Sequence, residues 1–240
     1  SRPTYIDKEG VPWTPRNSQI DYEVEYSMRG ALAYSVNTVS AKLIQMAGVD
    51  NTIAMAKKMG VSSKMPDVPS IALGASSISL MEMTTVFACF ANHGVATSPY
   101  YISSIRDNDG KSFNNFKSTE SGERVFSEET SELMISMLKS VVNEGTAGRL
   151  RYQYGVYTDV AGKTGTTQSN ADGWFMAMTP NLVIGTWVGA DDPRIRFRRT
   201  ELGQGSSTAL PITAAFLKQV NSDTAFESIA KAKFPRLSSK

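Results

Sequence analysis

Ala161-Gly162-Lys163-Thr164-Gly165-Thr166-Thr167, followed by Asp172-Gly173-Trp174-Phe175-Met176-Ala177-Met178, is the stretch that decides the fold. Its first half sets one lysine among glycines and small hydroxyl side chains, and its second half has the apolar character of a strand. We predict three strands here, over 156–168, 174–178 and 182–189, with a turn at Thr179-Pro180-Asn181 between the last two. Short connections favour antiparallel pairing, which would place the Lys163 strand beside a hairpin.

Helical patterns dominate the chain before this strand region. Asp50, Ser79 and Ser127 are predicted N-caps, and Ser79 also begins the capping-box pattern Ser-x-x-Glu. Residues 97–106 are predicted to be extended and 111–124 to form a loop, with the turn signal Asn108-Asp109-Gly110 between them. Apolar periodicity predicts helices over 28–34, 38–47, 51–59, 80–92, 128–143 and about 210–220. Helices, an antiparallel meander and a final helix together predict an α+β fold.

Composition predicts a folded globular chain and excludes several classes of function. The 240 residues are 41% hydrophobic and 20% charged, which suits a single domain over 1–240. A net charge of +2 gives no electrostatic signal for nucleic-acid binding. One cysteine, Cys89, and one histidine, His93, leave too few ligands for a zinc site, and we predict neither a metal nor a cofactor. Cys89 lies in an apolar run and is predicted to be buried.

A second short string accompanies Lys163. Ser35-Val36-Asn37 falls between two predicted helices. A side chain in such a loop can point into a cleft instead of a core. Lys-Thr-Gly and Ser-x-Asn are two of the three strings that recur in serine acyl-transfer enzymes of the β-lactamase kind; the third, Ser-x-x-Lys, carries the nucleophile.

The residues around both strings resemble class A penicillin-binding proteins, the bifunctional peptidoglycan synthases, over about residues 20–220 and in the same order. The resemblance is carried by these stretches: Arg29-Gly-Ala-Leu-Ala-Tyr-Ser-Val-Asn-Thr-Val-Ser40, Ile71-Ala-Leu-Gly-Ala75, Met83-Thr-Thr-Val-Phe-Ala-Cys-Phe-Ala-Asn-His-Gly94, Asn143-Glu-Gly-Thr-Ala-Gly148, Lys163-Thr-Gly-Thr-Thr-Gln168, Asp172-Gly-Trp-Phe175, Thr179-Pro-Asn-Leu-Val183, Gly185-Thr-Trp-Val-Gly-Ala-Asp-Asp192 and Gly203-Gln-Gly-Ser-Ser-Thr-Ala-Leu-Pro211.

The resemblance implies a transpeptidase fold, a five-stranded antiparallel sheet with packed helices, and a role for each motif residue. Lys163 would polarise the serine network and attract the substrate carboxylate, and Ser35 would relay a proton to the leaving amine. Asn37 would bind the stem-peptide amide. Thr164 and Thr166 would bind the substrate carboxylate through their hydroxyls, and the Thr166 N–H would be half of an oxyanion hole. Gly165, lacking a side chain, would let the substrate backbone come close.

One departure from the family pattern is decisive for activity. No Ser-x-x-Lys string precedes Ser35, where the family places its acylated serine. The string Ser136-Met-Leu-Lys139 does occur, but its position is wrong for the family. Both residues also lie opposite the apolar helix face of Leu133, Met137 and Val141, so we predict that they face water. The chain is therefore expected to begin after the nucleophile and to be inactive alone.

The expected partners are peptidoglycan stem peptides and β-lactams. We expect the parent protein to cross-link stem peptides at the extracytoplasmic (periplasmic) face of the bacterial inner membrane, anchored by a segment outside this chain. Without its N-terminal strands the sheet would expose an edge, which predicts low stability or self-association. Three alternatives remain open: a D,D-carboxypeptidase or β-lactamase-type hydrolase, a serine-less binding or sensor module, and an unrelated α+β domain. As a strand, the run Arg194-Ile-Arg-Phe-Arg-Arg199 would place Arg194, Arg196 and Arg198 on one face, which we expect to be a solvated face or a groove wall.

Overall fold

The computed structural model of the protein describes residues 4–6, 10–18, 24–115 and 122–235, without the side chains of 114 and 115. The predicted helices, the strand region after residue 156 and the final helix follow one another in the predicted order, and the structure adds several short elements that were not predicted. The helices are α1 (Met28–Ala33), α2 (Asn37–Ala47), α3 (Val49–Lys58), α4 (Leu80–Ala91), α5 (Glu128–Asn143), α6 (Arg149–Tyr152), α7 (Thr200–Gly203), α8 (Ala209–Ser222) and α9 (Glu227–Ala230), with short 3-10 turns at Pro69–Leu73, Gln168–Asn170 and Thr224–Phe226. The strands are β1 (Tyr5–Ile6), β2 (Pro12–Trp13), β3 (Ser104–Arg106), β4 (Ser112–Asn115), β5 (Ala161–Thr166), β6 (Gly173–Thr179) and β7 (Leu182–Val188).

The predicted meander is confirmed as an antiparallel sheet in the order β5-β6-β7. A two-residue turn, Pro180-Asn181, joins β6 to β7. Among the described residues, β5 and β7 are the two edge strands of this sheet, and neither has a ladder partner on its second side. The strands β1 and β2, and the strands β3 and β4, form two separate antiparallel pairs. The chain is thus α+β, as predicted.

Helices cover both faces of the central strand β6, whose residues from Phe175 to Thr179 are all buried. On one face, Gly185 lies opposite Met176, and a Cβ added to it would lie 2.3 Å from the Thr84 hydroxyl of α4. On the other face, the Thr186 hydroxyl hydrogen-bonds that of Thr213 in α8 at 2.8 Å. A strand buried on both faces loses the usual polar alternation, which explains the nearly continuous apolar sequence of β6.

Two predicted helix starts are confirmed by their caps. Ser127 Oγ accepts a hydrogen bond from the Thr130 N–H at 3.1 Å, and α5 begins at the next residue. At α4 the Ser79 hydroxyl accepts from the Glu82 N–H while the Glu82 carboxylate accepts from the Ser79 N–H, so the capping box is complete. These local signals fix helix positions because each satisfies backbone N–H groups that the first turn leaves unpaired.

Other predicted boundaries are wrong where tertiary contacts decide them. Helix α3 begins at Val49 with Gly48 as its N-cap, so Asp50 lies in the first turn instead of capping it. Strand β5 begins at Ala161 and not at the predicted 156. The Arg151 guanidinium donates hydrogen bonds to the carbonyls of Val156 and Thr158 at 2.6 and 2.8 Å. Backbone that bonds to a side chain in this way is not available for a sheet ladder.

The remaining loops also differ in part from prediction. The turn at Asn108-Asp109-Gly110 is confirmed, but only 104–106 of the extended stretch and 112–115 of the predicted loop become strands, and 116–121 lie outside the described residues. The prediction of a strand at Arg194–Arg199 is wrong. Arg194 instead folds back on Asp192, to which its guanidinium and backbone N–H donate, and this closes a local turn. Within the described ranges, no helix is long and apolar enough to cross a membrane.

Candidate functional site

Ser35 occupies the tight turn between α1 and α2. Its backbone has φ = 56°, in the left-handed region that a residue with a side chain rarely adopts. The Ser35 N–H donates to the Leu32 carbonyl at 3.2 Å, and the Val36 N–H donates to the Ala31 carbonyl at 2.8 Å. The turn is thereby fixed by the last residues of α1. Strain of this kind costs about 1–3 kcal/mol and persists only where the surroundings enforce it.

Lys163 of β5 reaches this turn across 128 residues of sequence. Its ammonium donates to Ser35 Oγ at 2.9 Å and to the Thr164 carbonyl at 2.8 Å. Lys163 as a whole is only partly buried, but its ammonium is desolvated by the surrounding protein. This desolvation lowers the pKa of Lys163 from 10.5 to about 8. The structure therefore brings together the Ser-x-Asn and Lys-Thr-Gly strings through a direct contact between the Ser35 and Lys163 side chains.

The free edge of β5 presents backbone donors. The Thr167 N–H donates inward, to the Asp172 carbonyl at 3.1 Å. Because N–H groups alternate in direction along a strand, those of Thr166 and Thr164 point to the free edge. The Thr166 hydroxyl accepts from the Gly205 N–H at 3.1 Å, and an added Cβ at Gly165 would lie 3.0 Å from the Trp174 Cβ. An extended peptide could therefore pair with this edge.

Asn37 is held by the segment that precedes α1. Its side-chain amide donates to the Arg16 carbonyl at 2.6 Å. The neighbouring Asn17 accepts from the Thr38 N–H at 3.0 Å and so caps α2 from outside the helix. Neither Ser35 nor Asn37 caps α2, since Val36 is the N-cap residue and makes no side-chain cap bond. The side chains of the Ser-x-Asn string are therefore not explained as helix caps.

Thr146 is the residue that sequence reasoning missed. Its hydroxyl lies 2.7 Å from the Thr164 hydroxyl, and its backbone N–H donates to the Ala33 carbonyl at 3.0 Å. The preceding Gly145 packs so closely on α1 that an added Cβ would lie 2.2 Å from the Ala33 oxygen. The stretch Asn143-Glu-Gly-Thr-Ala-Gly148 matched the family but had no predicted role. Its small residues between a helix and a strand were the available signal.

Asp172 shapes the turn between β5 and β6. Its carboxylate accepts from the Thr167 hydroxyl at 3.0 Å and from the Trp187 indole N–H at 2.9 Å. Its backbone N–H donates to Thr167 Oγ1 at 2.9 Å. Trp174 lies opposite Trp187 in the sheet register. Asp172 and Trp174 therefore shape the end of β5 and lie apart from the contact between Lys163 and Ser35.

Ser136 lies on the side of α5 that contacts α1, and Lys139 of the same helix contacts Asp159 and Phe234. The prediction that both face water is wrong, because the exposed Leu133 does not belong to the buried helix face. Ser136 Oγ accepts from Arg29 at 2.9 Å and Lys139 pairs with Asp159 at 2.7 Å. The two side chains thus have separate partners, and the prediction that Ser136 is not the nucleophile stands as a prediction.

The single cysteine and the single histidine lie away from this site. Cys89 is fully buried, as predicted, and burial raises the pKa of its thiol to about 11. His93 follows the end of α4 with φ = 54°, and its Nδ1 lies 3.1 Å from the Glu128 carboxylate. Neither side chain is placed to act as a base for Ser35.

Comparison with known proteins gives matches over nearly the whole chain. The family model of the penicillin-binding protein transpeptidase domain matches residues 3–218. Penicillin-binding protein 1A of Aquifex aeolicus is 32% identical over 220 residues, which are 92% of this chain and 29% of that protein. The chain spans less than a third of the length of the curated relatives that it matches.

Solved structures agree with this similarity. The crystal structure of penicillin-binding protein 1A from Haemophilus influenzae superposes with a TM-score of 0.85 at 28% identity, covering 98% of this chain and 39% of that one. PonA1 of Mycobacterium tuberculosis, solved in complex with penicillin V, gives a TM-score of 0.76 at 18% identity, covering 97% of this chain and 67% of that one. At that identity the second likeness concerns the fold alone.

Proposed function

Because the chain belongs to the family of penicillin-binding protein transpeptidase domains, we propose that it supplies most of the active-site cleft of a peptidoglycan D,D-transpeptidase, as a single domain. The observation that carries this proposal is the 2.9 Å contact between Lys163 Nζ and Ser35 Oγ. Two residues so far apart in sequence meet at a desolvated ammonium beside an open strand edge. Such a site can orient a carboxylate-bearing peptide and move a proton.

The reaction that this arrangement supports is acyl transfer through a serine ester. The nucleophilic hydroxyl attacks the carbonyl carbon of the penultimate D-Ala, its proton passes through Ser35 to the departing amine, and the terminal D-Ala leaves as the amide C–N bond breaks. An amine of a second stem peptide then attacks the ester and restores the serine. Lys163 stabilises the charge on the substrate carboxylate and the polarised Ser35 hydroxyl, and the Thr166 N–H holds the developing oxyanion.

Substrate contacts are proposed along the same edge. Asn37 would exchange the Arg16 carbonyl for a stem-peptide amide, and Gly165 leaves the strand without a side chain that would hold a peptide backbone away. Thr166 keeps its hydroxyl proton for a substrate carboxylate, since its oxygen accepts from Gly205. The Thr164 hydroxyl is already paired with Thr146, so it would bind the carboxylate only as part of that pair.

The nucleophile itself is proposed to come from a Ser-x-x-Lys segment outside residues 1–240. Ser136 has an arginine partner and Lys139 a carboxylate partner, which makes that string a poor substitute. The 240-residue chain alone should therefore be inactive. A protein that cross-links stem peptides must meet them at the extracytoplasmic face of the membrane, so we place the site there, anchored by a segment outside this chain.

Intact mass spectrometry after incubation with benzylpenicillin tests this proposal. The 240-residue chain should gain no mass, and a longer form of the protein that contains the upstream Ser-x-x-Lys should gain one penicilloyl group. Its Lys163→Met variant should be acylated at least about 100-fold more slowly, a loss typical of removing a charge from a preorganised oxyanion-type site. A penicilloyl group on Ser136 of the 240-residue chain would contradict the proposal.

Product analysis with the longer form separates a transferase from a hydrolase. A donor stem peptide with an amine acceptor should give the cross-linked dimer, whereas water as the sole acceptor would identify a carboxypeptidase. Reversible β-lactam binding without an adduct in the longer form would identify a sensor module instead.

Self-association is proposed to use the unpaired side of β5. An edge strand with free N–H groups pairs readily with another edge. Sedimentation equilibrium of the 240-residue chain should show a dimer. The Thr166→Pro variant should be monomeric, because proline lacks the N–H that points to the free edge of β5. A monomer at all concentrations would contradict this.

A further inference from the structure

Residues 143–148, from the last residue of α5 to the start of α6, contact both elements that carry the site, the α1–α2 turn and β5. We call this segment the strap. In the strap, the Thr146 N–H donates to the carbonyl of Ala33, two residues before Ser35. The hydroxyl of the same residue contacts the Thr164 hydroxyl, one residue after Lys163. One threonine therefore links the α1–α2 turn to β5 through two of its own atoms.

Thr164, which Thr146 contacts, and Lys163 project to different faces of the sheet. Thr164 pairs with Phe175 in the register, and Lys163 pairs with Met176. Cross-strand partners project to the same face, so the Thr164 side chain lies on the α8 face and the Lys163 side chain starts on the α4 face. Thr146 thus fixes β5 from the side opposite to the Lys163 side chain. Its contact restrains the strand without occupying the space around the ammonium.

The strap has little freedom to move relative to either element. Gly145 packs against the Ala33 backbone at a distance that excludes any Cβ. Ala147 is fully buried, and its N–H donates to the Val141 carbonyl in α5 at 3.1 Å. Arg149, just after the strap, donates to the Ser207 hydroxyl at 2.9 Å, which joins it to the start of α8. A rigid strap transmits position, because packed interiors resist small displacements.

We propose that Thr146 is a positioning residue, which sets the distance between Ser35 Oγ and Lys163 Nζ by holding the α1–α2 turn and β5 in one register. This inference rests on the proposed function, since it assigns the spacing of that same site. Displacements of about 1 Å in such an arrangement are enough to slow a reaction strongly. Thr146 touches no reacting atom, so its effect should appear in the rate of the covalent step.

The test compares Thr146→Val, which removes the hydroxyl at nearly constant shape, with Thr146→Ser, which keeps it. In the longer, acylation-competent form, the first-order acylation rate at saturating benzylpenicillin should fall about five- to tenfold in Thr146→Val, the equivalent of one ordinary hydrogen bond. The final one-to-one adduct should stay unchanged, and Thr146→Ser should restore the rate. A purely structural role would instead reduce the fraction of protein that is acylated and leave the rate of the rest unchanged.

A second measurement needs no catalysis. In the 240-residue chain, the ¹³Cε shift of Lys163, assigned with Lys163→Arg, reports its titration. Desolvation is the only cause of its lowered pKa, and both hydrogen-bond partners of its ammonium are neutral. If the loss of the Thr146 hydroxyl in Thr146→Val loosens the site, the ammonium is better hydrated, and the titration midpoint of Lys163 should rise from about 8 toward its ordinary value. Thr146→Ser should leave this midpoint unchanged. Should valine prevent folding, Thr146→Ala removes the hydroxyl without adding an atom.

The outcomes separate the two proposals. If the longer form with the native sequence is never acylated, the proposed function fails, and the Lys163 titration alone decides the role of Thr146. If that form is acylated and Thr146→Val matches it in both rate and Lys163 midpoint, the positioning role is refuted while the transpeptidase proposal stands.

Discussion

The buried charge of Lys163 should be visible as a pH-dependent loss of stability. Its pKa is lowered from 10.5 to about 8 by desolvation, so the folded state binds this proton less tightly than the unfolded state does. Between these two values the unfolded chain carries the proton that the folded chain has released, and stability must rise with pH. Below about pH 8 both states are protonated and the full penalty is present, about 3 kcal/mol at one pKa unit per 1.4 kcal/mol. As pH rises through 8 toward 10.5, that penalty is progressively removed.

Urea unfolding of the native sequence and of Lys163→Met from pH 7 to 10 measures this effect. Other lysines and tyrosines also titrate in this range, but they are common to both proteins and cancel in the difference. Integrating the two titrations predicts that the native chain gains about 2.5 kcal/mol relative to Lys163→Met between pH 7 and pH 10. At pH 7 the methionine variant should be the more stable, unless the lost contact to Ser35 offsets the relief. Parallel pH profiles for the two proteins would refute the desolvated state of Lys163, and with it the electrostatic basis of the site.

Three further results are expected. Ser35→Gly should raise the free energy of unfolding by about 0.5–1 kcal/mol, because glycine adopts φ = 56° without strain, yet it should abolish acylation in the longer form; a loss of stability would contradict the strain at this turn. Gly145→Ala should lower the free energy of unfolding by more than about 2 kcal/mol, because the added Cβ clashes with the Ala33 backbone. Urea unfolding measures this effect, with Gly155→Asn as the control, since Gly155 has open space around it and a positive φ that asparagine tolerates. Cys89 should resist a thiol reagent at pH 8 until the chain unfolds, and rapid modification of the native protein would contradict its burial.

The elements that could be predicted from the sequence are those that local chemistry specifies. Ser127 and the Ser79 capping box satisfy N–H groups within one turn, so α5 and α4 begin where the sequence indicates. Local sequence patterns do not reveal hydrogen bonds from residues that are distant in sequence. The Glu82 carboxylate also accepts hydrogen bonds from Ser62 and Ser63, which nothing near Glu82 in the sequence indicates. The hydrogen bonds from Ser63, together with those from Ser79, hold the pKa of Glu82 well below the usual range.

The candidate site divides in the same way. Ser35 and Lys163 could be named because the residues around their short strings resemble the family of penicillin-binding proteins, and the structure brings the two side chains into contact. Thr146 could not be named, since its role depends on an N–H and a hydroxyl that act on two elements at once. The error at Ser136 has a related cause. A helical wheel built on Leu133 takes an exposed residue as part of the core, and Arg29 is placed beside Ser136 only by the packing of α1 on α5.

The contact between Ser35 and Lys163 combines backbone strain with desolvation of a charge. This combination indicates that the contact serves function and not stability. Ser35 adopts a left-handed backbone and Lys163 loses part of its hydration, and the bond between them is a single hydrogen bond at a partly exposed position. A hydrogen bond of this kind contributes about 1 kcal/mol net, less than the strain and the desolvation together. The strap, the caps and the packing of α1 on α5 hold the pair in place. An arrangement that the rest of the fold must maintain in this way is expected of a preorganised acyl-transfer site, in which the benefit is realised when the reaction develops charge.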